Sequence, residues 1–167
     1  MSPSRSLPGI GLGFDVHRFG GPGPIWLGGV EVEHSQGLLG HSDGDVLCHA
    51  LADALLGAAG LGDLGEHFPS SDERWRGASS LELLRQVGDL LEGEGIVILG
   101  LDATVVAEAP RLGPHRLVMS ARVAEVLGLD GGLVSIKVKS SDGLGLTGRG
   151  EGMAALAVAR VEPGDRG

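Results

Sequence analysis

The sequence predicts an α/β (α+β) sandwich in which one mixed β-sheet is covered by helices. Strand-like runs and runs with helical spacing follow one another in the order ββ(β)αα-β-α-β-β, which is typical of that fold class. With 167 residues, the chain is long enough to bury a core without disulfides. Its 31 glycines lie between apolar runs without a repeating period, as expected for turns and close-approach loops. We therefore expect a single domain over residues 1–167, with loose tails at 1–8 and 163–167.

The first elements along the chain are predicted to be strands. In the run GIGLGFDVH (9–17), large apolar residues alternate with glycine or polar residues, and this period of two predicts a first strand. The run IWLGGVEVEH (25–34) predicts a β-hairpin, with Gly28-Gly29 at its turn, because two consecutive glycines favour tight hairpin turns.

A helix is predicted next. Ser42, followed three residues later by Asp45, has the pattern of an N-cap with a capping-box-like start. We expect this helix to run to about Ala59 and to be followed by an irregular, glycine-rich loop over 60–78. Its apolar face is formed by Val46, Leu47, Ala50, Leu51, Ala54 and Leu55.

The second half is predicted to alternate between helices and strands. A second helix begins at Ser79, with Glu82 three residues on, and a third is opened by Pro114 and ends near Gly128. The last apolar run fits either a strand or a helix, and we favour a strand because it follows a tight glycine loop. The predicted strands of this half are VILGLDATVVAEA (97–109), LVSIKVKS (133–140) and GMAALAVARV (152–161).

Composition narrows the classes of function. Thirteen basic and 22 acidic residues give a formal charge of −9, which argues against a nucleic-acid or anionic-membrane surface. An anionic substrate would therefore need metal ions or a local basic cluster. Cys48 is the one cysteine, so no intrachain disulfide can form, and no segment has the apolar length of a signal peptide core or a membrane span. We expect a cytoplasmic protein without nucleic-acid or membrane partners.

Two histidines and a carboxylate have the spacing of a metal site. Asp15 and His17 stand two apart on a predicted strand, so both side chains leave the same face, and His49 lies on the first predicted helix. Three such ligands with one open position are typical of catalytic zinc. Asp45 and Asp53, at i−4 and i+4 from His49, could accept its second ring N–H. The alternative is that all of these are ordinary capping or surface residues.

A second group of polar residues follows a predicted strand. The chain has two lysines, Lys137 and Lys139, on one strand face. They lead into hydroxyls, a carboxylate and a glycine loop in VSIKVKSSDGLGLTGRGEG. Cations, hydroxyls and backbone N–H groups at a strand end can hold phosphate oxygens, and Asp142 could bind Mg²⁺. A solvated strand with a surface turn is the alternative here.

Four motifs, taken together, resemble those of the 2-C-methyl-D-erythritol 2,4-cyclodiphosphate synthases. They occur in the family's order over about Gly11 to Val161: GFDVHRF, LLGHSDGDVLCHALADALLGAAGLGDLGEHFP, AEAPRLGPH and TGRGEG. The resemblance implies a homotrimer whose active sites lie between subunits, with Zn²⁺ and either Mg²⁺ or Mn²⁺ as cofactors. It also implies a phosphorus–oxygen lyase of the non-mevalonate isoprenoid pathway. In that reaction the 2-phosphate of 4-diphosphocytidyl-2-C-methyl-D-erythritol 2-phosphate attacks the β-phosphorus, and CMP leaves as the cyclic diphosphate forms.

The resemblance also implies roles for individual residues. Asp15, His17 and His49 match the zinc ligands, His41 and Ser140 the groups that stabilise the transition state, and Asp142 the Mg²⁺ or Mn²⁺ position. The matched substrate-contacting positions include Asp15, His17, His41, Ser42 and Leu146. Three segments match particular parts of the substrate: Asp63, Leu64, Gly65, Phe68, Pro69, Ser70, Ser71 and Asp72 the erythritol phosphate end; Ala107, Glu108, Ala109, Pro110, Arg111, Leu112 and Gly113 the cytidine; and Lys139, Ser140, Ser141 and Asp142, with Arg149, the diphosphate.

The sequence departs from the family pattern at three places. Lys139-Ser140-Ser141-Asp142 stands where the family usually has a threonine run that ends in Glu, and Asp is one methylene shorter. Leu146 replaces an aromatic residue, and Arg111 stands where Lys is common.

Two other functions share most of these residues. One is a non-catalytic, zinc-containing trimer that binds isoprenoid diphosphates, and the other is a metal-dependent phosphohydrolase. An open metal position distinguishes an enzyme from a protein with a closed structural site, and we find no candidate for a fourth ligand. A hydrolase would release inorganic phosphate and no cyclic product.

Overall fold

The computed structural model describes residues 8–164 of the chain. Within this range, no helix combines the length and apolar character that crossing a bilayer requires. The strands are β1 (Gly9–Pro22), β2 (Ile25–Leu27), β3 (Val30–Val32), β4 (Gln36–Leu38), β5 (Ile96–Val106), β6 (Val134–Lys139) and β7 (Gly152–Pro163). The helices are α1 (Val46–Ala59), α2 (Leu64–His67), α3 (Ser80–Gly93), α4 (Arg116–Val126) and α5 (Gly145–Gly148), and 3₁₀ turns occur at Glu73–Trp75, Gly113–His115 and Gly131–Leu133.

Five strands form one mixed sheet in the order β4-β1-β7-β5-β6. β5 and β6 pair in parallel, whereas β1–β4, β1–β7 and β5–β7 pair antiparallel. The predicted mixed sheet and its helical cover are thus confirmed. β2 and β3 form the separate predicted hairpin, and Gly28 and Gly29 at its turn have φ of 56° and 70°. Positive φ at both central residues is the type I′ geometry that glycine favours.

Helix α1 packs directly on β1 because β1 presents glycines to it. A Cβ atom at Gly11 would lie 2.0 Å from the Ala54 carbonyl oxygen, and one at Gly13 would lie 1.9 Å from that of Ala50. Hydrogen is therefore the one substituent that fits between strand and helix. The close approach buries Leu47, Leu51 and Leu55, among others, in the core between the sheet and the helices.

The opposite face of β1 and β7 is apolar and has no helix over it in the described part of the chain. Alternate residues Ile10, Leu12 and Phe14 of β1 are 74%, 69% and 55% exposed. Leu156 and Val158 of β7, which pair with Phe14 and Leu12, are exposed beside them. We call these five residues the uncovered face. A stripe of this kind is unusual for a solvent-facing surface.

The start of the first helix differs from the prediction. The N-cap is Asp45, whose carboxylate accepts hydrogen bonds from the backbone N–H of Cys48 (3.0 Å) and of Gly29 (2.9 Å). Ser42 lies outside the helix, so its assignment as N-cap was wrong. The carboxylate of Asp45 is fully buried and ties the hairpin turn to α1, which the serine hydroxyl does not do.

Other elements agree with the predictions or extend them. α3 begins directly after Ser79, α4 follows the turn that contains Pro114, and the last apolar run is a strand. β4, α2 and α5 were not predicted, because each is only three or four residues long. Pro163 and Gly164 were predicted to belong to a loose tail, but Pro163 pairs with Ile96, and Gly164 N–H donates to the Gly95 carbonyl at 2.7 Å. The predicted tail residues 1–7 and 165–167 lie outside the described residues.

Gly13→Ala should strongly destabilise the fold. The added methyl would meet the α1 backbone at 1.9 Å, so α1 must move off the sheet. We expect a loss of about 3 kcal/mol in the free energy of unfolding, measured by denaturant titration.

Gly57→Ala is the matched control for this change, since nothing lies within 4 Å of a Cβ at Gly57 on α1. That variant should be neutral or stabilised by up to about 1 kcal/mol. Equal stability of Gly13→Ala and the wild-type chain would contradict the packing argument.

Candidate metal centre and active site

The three predicted metal ligands lie together where β1 meets the first turn of α1. Asp15 and His17 continue the face of β1 that carries Gly11 and Gly13, and therefore point toward the helix. Asp15 Oδ2 lies 2.9 Å from both His17 Nε2 and His49 Nδ1, and the two ring nitrogens are 3.1 Å apart. Donor atoms around a tetrahedral zinc ion stand roughly 3.4 Å apart, since each is about 2.1 Å from the metal. The three side chains thus fit a metal ion with small adjustment.

Hydrogen bonds from behind orient both imidazole rings. His17 Nδ1 donates to the Leu39 carbonyl at 2.5 Å, which leaves Nε2 to face Asp15. His49 Nε2 lies 2.9 Å from Ser42 Oγ and 2.8 Å from Ser80 Oγ, which leaves Nδ1 to face the same carboxylate. One nitrogen of each ring is therefore held in place, and the other is available to a metal.

The electrostatics of the cluster favour an ion pair when metal is absent. Burial raises the pKa of Asp15, but the hydrogen bonds from His17 and His49 outweigh it and hold that pKa well below the usual range. For His17, burial lowers the pKa, and the hydrogen bond and charge of Asp15 outweigh it, so the pKa is raised. Side chains that are 25%, 16% and 13% exposed for Asp15, His17 and His49 leave one side open to a ligand.

The carboxylates expected behind His49 are engaged elsewhere. Asp45 accepts the backbone N–H groups described above, and Asp53 accepts from the Leu64 N–H at 2.7 Å, where it holds α2 against α1. The prediction that Asp45 or Asp53 takes the second ring N–H of His49 was therefore wrong. The hydroxyls of Ser42 and Ser80 take those positions, and Ser80 was missed because it lies 31 residues away.

A cavity of about 240 Å³ opens beside the metal centre. The predicted residues His41 and Ser42, together with the loop over 63–72, are brought to it. His41 Nε2 donates to the Asp72 carbonyl at 3.2 Å, and Asp63 caps α2 by accepting from Glu66 N–H. Trp75 was not predicted as a site residue, since nothing in its local sequence marks it. The lining residues are His17, His41, Ser42, His49, Leu64, Phe68, Ser70, Trp75 and Leu83.

The segments predicted to hold cytidine and diphosphate also lie together, at the end of β5 and β6. Ala107 N–H donates to the Lys139 carbonyl at 3.0 Å. Glu108 Oε1 accepts from Ser141 N–H (2.9 Å), Ser141 Oγ (3.0 Å) and Gly143 N–H (3.2 Å). The backbone bonds from Gly143 and Ser141 lower the pKa of Glu108. The carboxylate of Glu108 thus holds the 140–143 loop.

The two groups are separated within the chain. Lys139, Val106, Ala154 and Val16 stand in one row across β6, β5, β7 and β1. Three strand spacings of about 4.8 Å place the ends of this row roughly 14 Å apart. The cavity at the metal centre includes no residue of 107–113 or 139–142.

The remaining predicted residues have distinct surroundings. Leu146 lines a second cavity, of about 410 Å³, on the other side of His17. Arg149 donates to Glu151 at 2.5 Å, and Lys137 pairs with Asp102 on the outer face of the sheet. Asp142, at φ 51°, accepts from Ser140 Oγ at 3.1 Å, and it belongs to no cluster of three metal-ligating side chains within residues 8–164.

Comparison with known proteins identifies one family. The model of the YgbB family matches residues 9–162. A 2-C-methyl-D-erythritol 2,4-cyclodiphosphate synthase of Desulfatibacillum aliphaticivorans is 52% identical over 153 residues, which cover 92% of this chain and 99% of that protein. A bifunctional enzyme IspD/IspF of Novosphingobium aromaticivorans is 51% identical over 158 residues, which cover 95% of this chain but 41% of that protein. The chain therefore spans less than half of the bifunctional relatives.

A solved structure supports the same relationship. A structure described as an IspF of Plasmodium falciparum in complex with CDP superposes with a TM-score of 0.84 at 28% identity. The superposition covers 97% of this chain and 100% of that one. The fold is therefore shared over nearly the full length of both chains.

The hydrogen bonds by which the Glu108 carboxylate holds the 140–143 loop should weaken in acid. Because the folded-state pKa of Glu108 lies below the ordinary 4.5, its contribution to loop order is complete above that value and is lost as the pH falls through the folded-state pKa. Glu108→Gln removes the charge at neutral pH, so the amide protons of Ser141 and Gly143 should exchange roughly fivefold faster. Hydrogen exchange followed by NMR measures this.

The control for that change is Glu31→Gln, an exposed glutamate on β3, which belongs to the separate β2–β3 hairpin. It should leave the exchange of both amides unchanged. Unchanged exchange in Glu108→Gln would show that the carboxylate does not hold the loop.

Proposed function

The chain belongs to the YgbB family, and from this premise we propose that it is a 2-C-methyl-D-erythritol 2,4-cyclodiphosphate synthase. The observation that carries the proposal is the juxtaposition of the Asp15, His17 and His49 centre with the cavity lined by His41, Ser42 and residues of the 63–72 loop. The substrate is 4-diphosphocytidyl-2-C-methyl-D-erythritol 2-phosphate, and the protein acts as a phosphorus–oxygen lyase in non-mevalonate isoprenoid biosynthesis.

The reaction needs no protein nucleophile. An oxygen of the 2-phosphate attacks the β-phosphorus of the diphosphate, and the bond from that phosphorus to the bridging oxygen of CMP breaks. The products are the cyclic diphosphate and CMP, and no water is consumed. Because the two phosphate groups repel each other, catalysis consists of holding them in line and neutralising their charge.

Asp15, His17 and His49 fit Zn²⁺, because two imidazoles and a carboxylate with an open side are a catalytic zinc set. For the second cofactor, Mg²⁺ or Mn²⁺, Asp142 would supply one carboxylate beside the substrate phosphates, which is the ligand set that magnesium commonly takes. When bound, these ions supply positive charge and polarise phosphoryl oxygens. Asp15, His17 and His49 would hold the zinc ion, and the hydrogen bond from His17 to the Leu39 carbonyl keeps the His17 ring in place.

Each remaining segment has a role in this proposal. The 63–72 loop binds the erythritol phosphate end, and backbone groups of 107–113 read the cytosine edge. Lys139 and Arg149 supply cationic groups near the diphosphate. His41 and Ser140 donate hydrogen bonds to oxygens that gain charge in the transition state.

The proposal includes a homotrimer with its active sites between subunits. Two features support the trimer. The uncovered face needs a partner surface. In addition, the strand positions beside the Asp15, His17 and His49 centre and those at the 139–142 segment are roughly 14 Å apart in one chain. In a symmetric ring, the Asp15, His17 and His49 centre of one subunit meets the 107–113 and 139–142 segments of the next subunit.

A cytoplasmic location completes the proposal. Cys48 is a buried free thiol on α1, which is usual for proteins of a reducing compartment.

Phosphorus NMR tests the activity directly. The protein, loaded with Zn²⁺ and Mg²⁺, should convert the cytidylyl substrate into CMP and the cyclic diphosphate in equal amounts. Inorganic phosphate without a ring would indicate a phosphohydrolase. An intact substrate that stays bound to the zinc-loaded protein would indicate a binding protein.

Mixing two inactive variants tests the position of the site. His49→Ala removes a metal ligand and Ser140→Ala a hydroxyl of the 139–142 segment, so each trimer alone should be inactive. After dissociation and random reassembly of an equal mixture, about a quarter of the sites combine intact halves, and activity should return to that level. Absence of recovery, in mixtures shown by mass spectrometry to contain both chains, would place the whole site in one subunit.

A further inference from the structure

Ser80 is a buried polar residue behind the metal centre. It stands at the first position of α3, and only 1% of its surface is exposed. Its Oγ lies 2.8 Å from His49 Nε2, 3.0 Å from Ser42 Oγ and in hydrogen-bond contact with Asp43 Oδ1. The other oxygen of Asp43 accepts the Ser80 N–H at 3.0 Å. Buried polar groups need such partners, and here all of the contacts converge on one hydroxyl.

The direction of every hydrogen bond in this group follows from the chemistry. To bind a metal through Nδ1, a neutral His49 must carry its proton on Nε2. A carboxylate can only accept, so Ser80 must donate its hydroxyl hydrogen to Asp43. Ser80 Oγ then accepts from His49 Nε2–H and has its second lone pair for the Ser42 hydroxyl, whose oxygen lies 2.9 Å from Nε2 and shares the same N–H as a second acceptor. One donor and two acceptor positions are the full capacity of a hydroxyl, so this arrangement satisfies all of the groups.

We propose that Ser80 and Asp43 are positioning residues that fix His49 in the Nε2–H tautomer with Nδ1 directed at the metal. The inference rests on the metal assignment within the proposed function. It gives Asp43 and Ser80 the task that sequence spacing had suggested for Asp45 and Asp53. Asp43 is suited to it because its backbone N–H is itself held by the Ala78 carbonyl at 3.0 Å.

The same contacts hold the His41 segment. Gly77, three residues before Ser80, donates its N–H to the His41 carbonyl at 2.8 Å. The segment from His41 to Asp43 is thus bound to residues 77–80 at both of its ends. A single connection between this segment and the start of α3 therefore orients a metal ligand and a proposed transition-state residue together.

Zinc affinity tests the inference without requiring turnover. Ser80→Ala should bind Zn²⁺ about 10- to 100-fold more weakly than the wild-type chain in competition with a chromophoric chelator. Asp43→Asn should also weaken binding, and the double variant should be little worse than Ser80→Ala, because the two residues act in series. Ser79→Ala is the matched control: the neighbouring serine is exposed and makes no capping hydrogen bond with its side chain. It should bind zinc as the wild-type chain does.

Histidine NMR separates positioning from a purely structural role. With ¹⁵N-labelled histidine, His49 of the zinc-loaded wild-type chain should show one neutral tautomer, with the proton on Nε2. In Ser80→Ala, the His49 signals should no longer correspond to that single tautomer. Thermal unfolding of the metal-free variants measures structural damage separately. Unchanged zinc affinity and tautomer in Ser80→Ala, with or without lower thermal stability, would overturn the inference and leave the proposed function intact. Failure of the wild-type chain to bind zinc would overturn both.

Discussion

The contact between the α1 backbone and β1 is the constraint on which the rest of the structure depends. Gly11 and Gly13 allow the helix to lie directly on the strand, with no side chain between them. Asp15 and His17 extend the same face by two further positions, at the point where α1 begins and presents His49. The glycines and the ligands are therefore one continuous stripe. The separation of the ligand atoms is set by how closely the helix approaches, so packing and chemistry cannot be adjusted independently.

The phosphate-rich substrate proposed above is compatible with an acidic chain because several of its carboxylates are already engaged in hydrogen bonds. Asp45 accepts backbone N–H groups from two elements, Asp53 accepts one from α2, and Glu108 holds the 140–143 loop. Through these hydrogen bonds, the carboxylates link segments of the chain that are not joined by strand pairing. Their negative charge is partly balanced by N–H dipoles, which reduces its repulsion of an anionic ligand.

The sequence predicted the sheet, the main helices and the grouping of Asp15, His17 and His49 because each depends on short-range pattern. Alternation placed Asp15 and His17 on one face, and helical spacing placed His49 on a separate element. The partners of His49 could not be predicted in the same way. Asp45 and Asp53 are adjacent to it along the helix, but buried backbone donors elsewhere compete for their oxygens. Ser80 contacts His49, and Asp43 contacts Ser80, only because α3 docks beside α1, and that docking depends on tertiary packing. The departure of Ser140 to Asp142 from the family pattern leaves the hydroxyl and carboxylate chemistry available at the same strand end.

The alternation of β1 also limits how this protein can change over evolutionary time. Odd positions of the strand carry the glycines and ligands, and even positions carry Ile10, Leu12 and Phe14 of the uncovered face. Because side chains alternate with a period of two, inserting or deleting one residue in β1 would exchange the two sets. Large apolar side chains would then meet the α1 backbone, and Asp15 and His17 would turn outward, away from His49. Insertions and deletions are therefore expected to accumulate in the loops. In β1, substitutions are expected only at the even-numbered positions of the uncovered face.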